Sequence, residues 1–475
     1  MRTLALVIGL AGSATARVIS IVDHGAVAGD ASDKVAWANG GVLNATLALM
    51  APGDTLIVPN GMWHLYGGIL AQGLVNATIV IEGTLKFADD RSKWPKDKRN
   101  RQRNCIQLDD VAGLTLTSST GGTLDGSGAK WWGAIKYLIY QEDRPKILEV
   151  NNGTGIVVER LHFKDPPYWT TYFHDVDGLT IRHSNITVQR GIRPPRKHDY
   201  DQLQAFNTDG FDVAGRNVHI HDCQIWNDDD CVCVKALSSK DVHKCSENWL
   251  VERVNASGVG LTVGSVGPSE TGNCIRNITF RDSTMVHTWK GIYIKINPSD
   301  EPNKYGVVED ILYENITITE PTGWPIWIGP AAQVEGGNRC LFWPDVPGAR
   351  CKTNGLPQMS VSNITLRNVL VERPTKSPGV LMGNFSNPIR AITFDNVTVV
   401  DPPLTPWGSE YYSCWGVEGT AVGGTTPVPP CFNGGRQCLS DGACTDRAGT
   451  PCCSGKHHHS LDCPIGGSFE RCGAA

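Results

Sequence analysis

An all-β solenoid, a coil of parallel strands, is the fold class this sequence predicts, on three observations. From about residue 76 to 400 one short unit recurs, a polar turn residue followed by an alternating β-branched run. Examples are Asn76-Ala-Thr-Ile-Val-Ile, Gly155-Ile-Val-Val, Gly178-Leu-Thr-Ile, Asn217-Val-His-Ile, Asn277-Ile-Thr-Phe, Asn363-Ile-Thr-Leu and Ala391-Ile-Thr-Phe. Period-two alternation marks strands with one buried face. The units start roughly 20 to 50 residues apart, with loop-like insertions in the longer gaps. Within this region no long stretch has a 3.6-residue period, so crossover helices that could cover a parallel sheet are not expected. Close hairpin signals are sparse, which disfavours a β-sandwich. The 475 residues exceed a usual compact domain, but a repetitive architecture grows along one axis.

The ends of the chain differ from this middle. A solenoid exposes its first coil, and the best helical segment, residues 33 to 49 with Asp33, Val35, Ala36, Trp37, Val42, Leu43, Leu47 and Ala48, sits where an N-terminal cap is needed. Before it, Met1-Arg2, an apolar run from Leu4 to Gly12 and Ala14-Thr-Ala16 form a signal-peptide pattern too short to span a bilayer. The expected division is a signal peptide at 1–16, a β-helix at 17–405, a linker at 406–430 after Pro402-Pro403, and a small disulfide-rich module at 431–475. That last segment is too short to bury a useful apolar core, so disulfides must stabilise it.

Charge and cysteine usage narrow the setting. The formal net charge of −5 excludes a globally basic protein, so an anionic ligand would have to be drawn by local basic loops. Sixteen cysteines suit an oxidising, extracellular compartment. Cys340 with Cys351 and Cys414 with Cys431 are spaced as local staples. Ten Asn-x-Ser/Thr sequons point the same way, although Asn-Ile-Thr is also how a strand starting from a polar turn residue reads.

The chemistry concentrates in two aspartate motifs. Asn207-Thr-Asp-Gly-Phe-Asp212 is followed, twenty residues after Asp209, by Asn227-Asp-Asp-Asp-Cys231. In a coil of that circumference these residues stack on adjacent rungs about 4.8 Å apart, so Asp209, Asp229 and Asp230 converge. Crowded carboxylates raise at least one pKa, which a general acid requires, while a second carboxylate activates water. From the residues alone, calcium ligation or plain solvation of the turn stays equally open. Consecutive strand residues face opposite sides, so Asp229 and Asp230 share a face only if the coil bends there.

These motifs, together with Gly258-Val-Gly-Leu-Thr-Val-Gly-Ser-Val-Gly267 and Tyr293-Ile-Lys295, stand in the order and approximate spacing of the polygalacturonases, glycoside hydrolase family 28. Weaker matches are Asp23-His-Gly-Ala, Gly122-Thr-Leu-Asp-Gly-Ser-Gly with Trp131-Trp132, and Asp165-Pro-Pro-Tyr-Trp169, so the resemblance spans roughly residues 20 to 405. It implies a right-handed parallel β-helix, inverting hydrolysis of α-glycosidic bonds in pectin, no metal and no cofactor. By position it makes Asp229 the general acid, places Asp209 and Asp230 on the attacking water, and puts Lys295 on a substrate carboxylate. Asn207, from the same motif, joins the substrate-binding set. The C-terminal spacing Cys438-x5-Cys444-x7-Cys452-Cys453-x9-Cys463-x8-Cys472 resembles the cystine-knot (knottin) miniproteins, which implies pairs 438–453, 444–463 and 452–472.

Two positions depart from the family pattern. Val259 stands where Gly-His-Gly is usual, and Tyr293 where Arg-Ile-Lys is usual. Losing an arginine–carboxylate contact removes a charge-assisted bond of about 1.5–3 kcal/mol, which a sugar without a carboxylate would not miss. Rhamnogalacturonan hydrolases are similar in lacking both residues, but do not typically keep Asn-Thr-Asp. The expected partner is an acidic polysaccharide (pectin, galacturonan or rhamnogalacturonan), met by a secreted monomer without nucleic-acid or membrane contacts. Basic loops support this: Arg91 to Arg103, and Arg190, Arg193, Arg196, Lys197 and His198 just ahead of Asn207. Trp169, Trp289 and Tyr293 are candidates for stacking on sugar rings. The competing readings are a rhamnogalacturonan hydrolase, a pectate lyase, and a pectin-binding protein that has lost activity.

Overall fold

Apolar residues at every second position give each strand one face to bury, and the chain buries it by coiling. The computed structural model describes residues 15–132, 143–188, 205–237, 245–297, 299, 301–332, 340, 343–345, 351 and 358–435, with only the backbone of 457–459 and 470–472 beyond them. Among the described residues twenty-six strands form one continuous sheet in which every strand pairing is parallel, and strands of the inner coils pair with the coils before and after them. Inside the coil, like residues stack in register. Trp249, Ile278, Ile311, Ile364 and Ile392 form one buried column. Val251, Phe280, Tyr313, Leu366 and Phe394 form the next, with the Phe280 and Tyr313 rings stacked 4.7 Å apart. Burying each such side chain contributes about 1.5–3 kcal/mol.

The corners explain the recurring Asn-Ile-Thr. Asn217, Asn248 and Asn277 all hold left-handed backbone, φ +55°, +61° and +52°. Asparagine tolerates this conformation better than most residues because its side chain bonds locally. Here it also bonds between coils: Asn277 Nδ2 donates to Asn248 Oδ1 (2.8 Å), Asn248 to Asn217 (3.2 Å), and Asn217 to Asp177 (2.6 Å). A second ladder runs Asn396, Asn368, Asn315, Asp282. Sequons at Asn277, Asn315 and Asn396 are therefore ladder members, which accounts for them without reference to glycans.

Helix α1, Asp33–Leu49, matches the expected cap. Ser32 caps it by accepting from Val35 N, and Ala36, Gly40, Leu43 and Leu47 line its buried face. The other end departs from expectation. Residues 406–430 are not a linker: Tyr412–Trp415 and Val417–Val422 pair with the preceding coil and complete the helix. The Pro402-Pro403 composition change marks a turn, and the two strands beyond it are short; Tyr412–Trp415 is buried at every position, so it lacks the usual alternation. Phe432 packs on Phe394 at 5.0 Å, and the Cys414–Cys431 disulfide fixes this closure. Cys340–Cys351 forms as spaced, and Cys245–Cys274 joins adjacent coils. The signal-peptide core and the knot pairings lie outside the described residues; the backbones of 457–459 and 470–472 pair antiparallel.

The ladder has a measurable consequence. Asn368→Ala should lower stability by about 1–3 kcal/mol, from the left-handed backbone and the lost bonds. Asn368→Gly, which relieves the backbone term, should lose less; urea midpoints of the two variants check the order.

Candidate functional site

Four strands and the turns leading into them build the site. The turn 205–210 enters Phe211–Trp226, the turn after Trp226 enters Asp230–Val234, and the next coils supply Gly260–Val266 and Ile292–Ile296. Asp230 opens its strand at a register shift between Asp230 and Val232, which is the bend needed for Asp229 and Asp230 to share a face. Each of Asp209, Asp229 and Asp230 offers an oxygen within 4.8 Å of the others, and all three are buried. A cation would fit such a set, but lysines already supply positive charge.

Asp230 is fully held. Its Oδ1 accepts from Thr262 Oγ1 (2.7 Å) and its Oδ2 from Lys295 Nζ. Burial alone would raise its pKa, but Lys295 and then Lys235 overcome this and hold it below the ordinary carboxylate value. Asp229 accepts from the backbone N–H of Asp230 (2.9 Å) and of Asn207 (3.1 Å). Burial, and next the neighbouring Asp230 charge, push its pKa up to about 7. Asp209 is raised well above the usual range by burial and then by Asp229 and Asp212, and its Oδ1 has no hydrogen-bond partner. Asp212, raised to about 6 by burial, has Lys235 Nζ at 3.1 Å; the same ammonium lies 4.0 Å from Asp209. Four carboxylates thus face two ammonium groups. Of the four, only Asp230 is held below the ordinary carboxylate value, so it is the last to take a proton as pH falls.

The other expected residues separate. Lys295 binds Asp230, so it can meet a substrate carboxylate only with its remaining N–H donors. Asn207 contributes its backbone N–H, from left-handed φ +59°. Tyr293 is not a stacking platform: it is 2% exposed, and its hydroxyl accepts from Ala332 N. It packs with Val259, Trp324 and Trp327, so the two departures from the family pattern belong to one apolar cluster. Trp169 is half-buried, with Lys235 Nζ 4.8 Å from its ring centre, and stays in reach of a ligand. Arg193 and Arg196 lie outside the described residues. The Arg91 to Arg103 loop is partly neutralised, Lys93 by Asp33 and Asp90, and Arg101 by Asp97.

Asp212, Lys235, Thr262 and Lys290 went unassigned in the sequence. Alternation along Cys231-Val-Cys-Val-Lys235 puts Lys235 on the outer face, a signal that was available. Lys290 is the unusual one. It is fully buried with no hydrogen-bond partner, its ammonium 3.6 Å from the Trp289 ring centre and 4.0 Å from that of Trp327, with Tyr293 and Trp324 beyond. Burial, then Lys376 and Lys295, push its pKa well below the ordinary lysine value.

Aspartates and lysines are thus buried together on one face of the parallel β-helix, and comparison with known proteins gives the family. The model of the glycosyl hydrolases family 28 matches residues 54–419, and the chain belongs to that family. A probable endo-xylogalacturonan hydrolase A of Aspergillus niger is 29% identical over 290 residues, 58% of this chain and 63% of the relative. A probable endopolygalacturonase I of Aspergillus flavus is 28% identical over 251 residues, 52% of this chain and 59% of the relative. The chain thus matches about three fifths of the length of these relatives. The crystal structure of endo-xylogalacturonan hydrolase from Aspergillus tubingensis superposes with TM-score 0.62 at 20% identity, over 88% of this chain and 98% of that one. The Thermotoga maritima exopolygalacturonase gives 0.59 at 17%, over 86% and 88%. The fold is the right-handed parallel β-helix.

Two variants probe the charge set. Thr262→Val removes one bond to ionised Asp230 and raises its pKa, so the acidic limb of the pH–rate profile should move to higher pH. Asp209 has a folded pKa above its unfolded one, so it costs stability increasingly as pH rises through the folded value. Asp209→Asn should therefore raise the denaturation midpoint at about pH 7 while leaving it near that of the parent at about pH 3.

Proposed function

We propose that the protein is a secreted hydrolase of pectic polymers acting by acid–base catalysis. The observation that supports this most is the opposed setting of adjacent residues: Asp230 is held by Lys295 and Thr262, whereas Asp229 is buried beside that carboxylate with only backbone N–H donors. Asp229 donates its proton to the glycosidic oxygen as the bond to the anomeric carbon breaks. Water adds to that carbon and passes a proton to Asp230; Asp209 holds the water by hydrogen bonding. Lys295 keeps N–H donors beyond its bond to Asp230, and these support binding of a uronate carboxylate. The relatives' names, endo-xylogalacturonan hydrolase and endopolygalacturonase, support a galacturonan backbone, and the apolar cluster at Val259 and Tyr293 favours a branched or mixed polymer over plain polygalacturonate. Three disulfides and the N-terminal leader pattern support secretion.

Stereochemistry has two readings. Carboxylate pairs usually stand about 6.5–9.5 Å apart in inverting enzymes and about 5–5.5 Å in retaining ones, so the tight trio by itself favours retention. Both oxygens of Asp230 are engaged by Thr262 and Lys295, which suits a base and hinders a nucleophile, and this supports inversion.

Reducing-end assays on polygalacturonate, xylose-branched galacturonan and rhamnogalacturonan test the activity. Asp229→Asn should lower kcat by about 10²–10⁴-fold. Activity should decline as pH rises through about 7, where Asp229 loses its proton. Proton NMR of the first product should show the inverted anomer. No hydrolysis of any of the three polymers would exclude the proposal.

A further inference from the structure

Asn227 opens the second aspartate motif, yet its side chain bonds to none of the clustered carboxylates. It is buried, and its amide spends its donors on main-chain oxygens of two different turns. Nδ2 donates to Thr208 O (2.9 Å), in the turn that carries Asp209, and to Asp230 O (2.8 Å). Oδ1 accepts from Cys231 Sγ at 3.4 Å. Thr208 returns the contact: its Oγ1 accepts from Asp228 N (3.1 Å) and donates to Ala205 O (2.8 Å). Gly210 N donates to Asp230 O at 2.8 Å. Residues 208 and 210 flank Asp209, and residues 228 and 230 flank Asp229. The bonds therefore fall on the main chain at either side of both carboxylates.

The next coil is shaped around this bracket. Gly258 holds φ +130°, and a Cβ there would lie 2.2 Å from Asn227 Oδ1 and 2.6 Å from Asp229 O. With that space clear, Val259 N donates to Asp229 O at 2.8 Å. Gly210 is confined in the same way, since its Cβ would meet Cys231 O at 2.2 Å. The residue type at 227 follows from the partners. Two carbonyl oxygens need two donors on one short side chain, which an amide has. Aspartate would set an acceptor against both oxygens, and serine has a single O–H. A buried polar network with every member satisfied is rigid, and this one joins the two aspartate turns.

We infer that Asn227 is a positioning residue, which sets the spacing of Asp209 from Asp229 and Asp230 across the coil boundary and so governs bond cleavage more than substrate binding. This rests on the pectin-hydrolase reading and adds to it the group that holds the proton donor and the water-handling carboxylates at working distance. The reaction draws on both turns at once, Asp229 at the leaving oxygen and Asp230 with Asp209 at the water. A slip of one turn against the other separates these roles while leaving contacts to the sugar in place. Misplacement by about 1 Å can cost about 10²-fold in rate.

Two substitutions test this, each assayed on polygalacturonate and xylose-branched galacturonan. Asn227→Ser keeps a small polar residue but loses the two-way donor. Thr208→Val keeps the shape of the side chain and removes the reciprocal hydroxyl. In each, kcat should fall about 10–100-fold while KM stays within about twofold of the parent. In an Asp229→Asn background the same substitutions should lower the residual rate little further, because the proton donor they position is already gone. Urea midpoints at the assay pH give the effect of each change on the fold. Lower midpoints with kcat per folded molecule unchanged, or the same fractional loss of rate in both backgrounds, would overturn the inference and leave the hydrolase reading standing. An unmodified protein that hydrolyses neither polymer would remove both.

Discussion

The Lys295–Asp230 ion pair is the interaction on which the site depends. It holds one carboxylate ionised in a buried setting where its neighbours cannot all be charged. Burial, and next the charge of Asp230 one residue away, raise the pKa of Asp229. The pair links strands two coils apart, so its geometry is set by the coil itself and not by a flexible loop. Losing either partner would leave a buried charge uncompensated, at a cost of about 3–5 kcal/mol. Lys235 and Asp212 repeat the arrangement one step along the floor, which is why four carboxylates coexist within one cavity.

Parallel coiling is what makes such a cluster affordable. Residues twenty or thirty positions apart in sequence fall about 4.8 Å apart in space, and the same register repeats along the whole molecule. The inner columns and the asparagine ladders supply the stability, so the turns facing the groove are free to carry unfavourable groups. The buried carboxylates, the unpaired ammonium of Lys290 and the left-handed Asn207 all sit there. Stability and chemistry are thereby divided between the inside and one outer edge of the coil.

Much of this was legible in the sequence. Alternation gave the strands, the helical period at 33–49 gave the cap, and the distance from Asp209 to Asp229 gave the convergence. Local cysteine spacing gave two of the disulfides, because short loops close without knowledge of the fold. Other features were not legible. Thr262 and Asp212 matter through contacts with residues in neighbouring coils, and nothing local distinguishes them. Lys290 reads as an ordinary exposed lysine until the surrounding rings are in place. The segment 406–430 reads as a linker because its strands are short and edge-like, and only pairing with the previous coil shows it to be the last turn. Val259 and Tyr293 read as two separate losses, whereas in space they belong to one apolar wall with Trp324 and Trp327.

The central claim is the distribution of protons among the buried groups, and neutron diffraction from a deuterated crystal at about pH 5 reads it directly. The account predicts deuterium on Asp229, none on Asp230, and a fully protonated ammonium on Lys295. Deuterium on Asp230, or an ionised Asp229 at that pH, would contradict it.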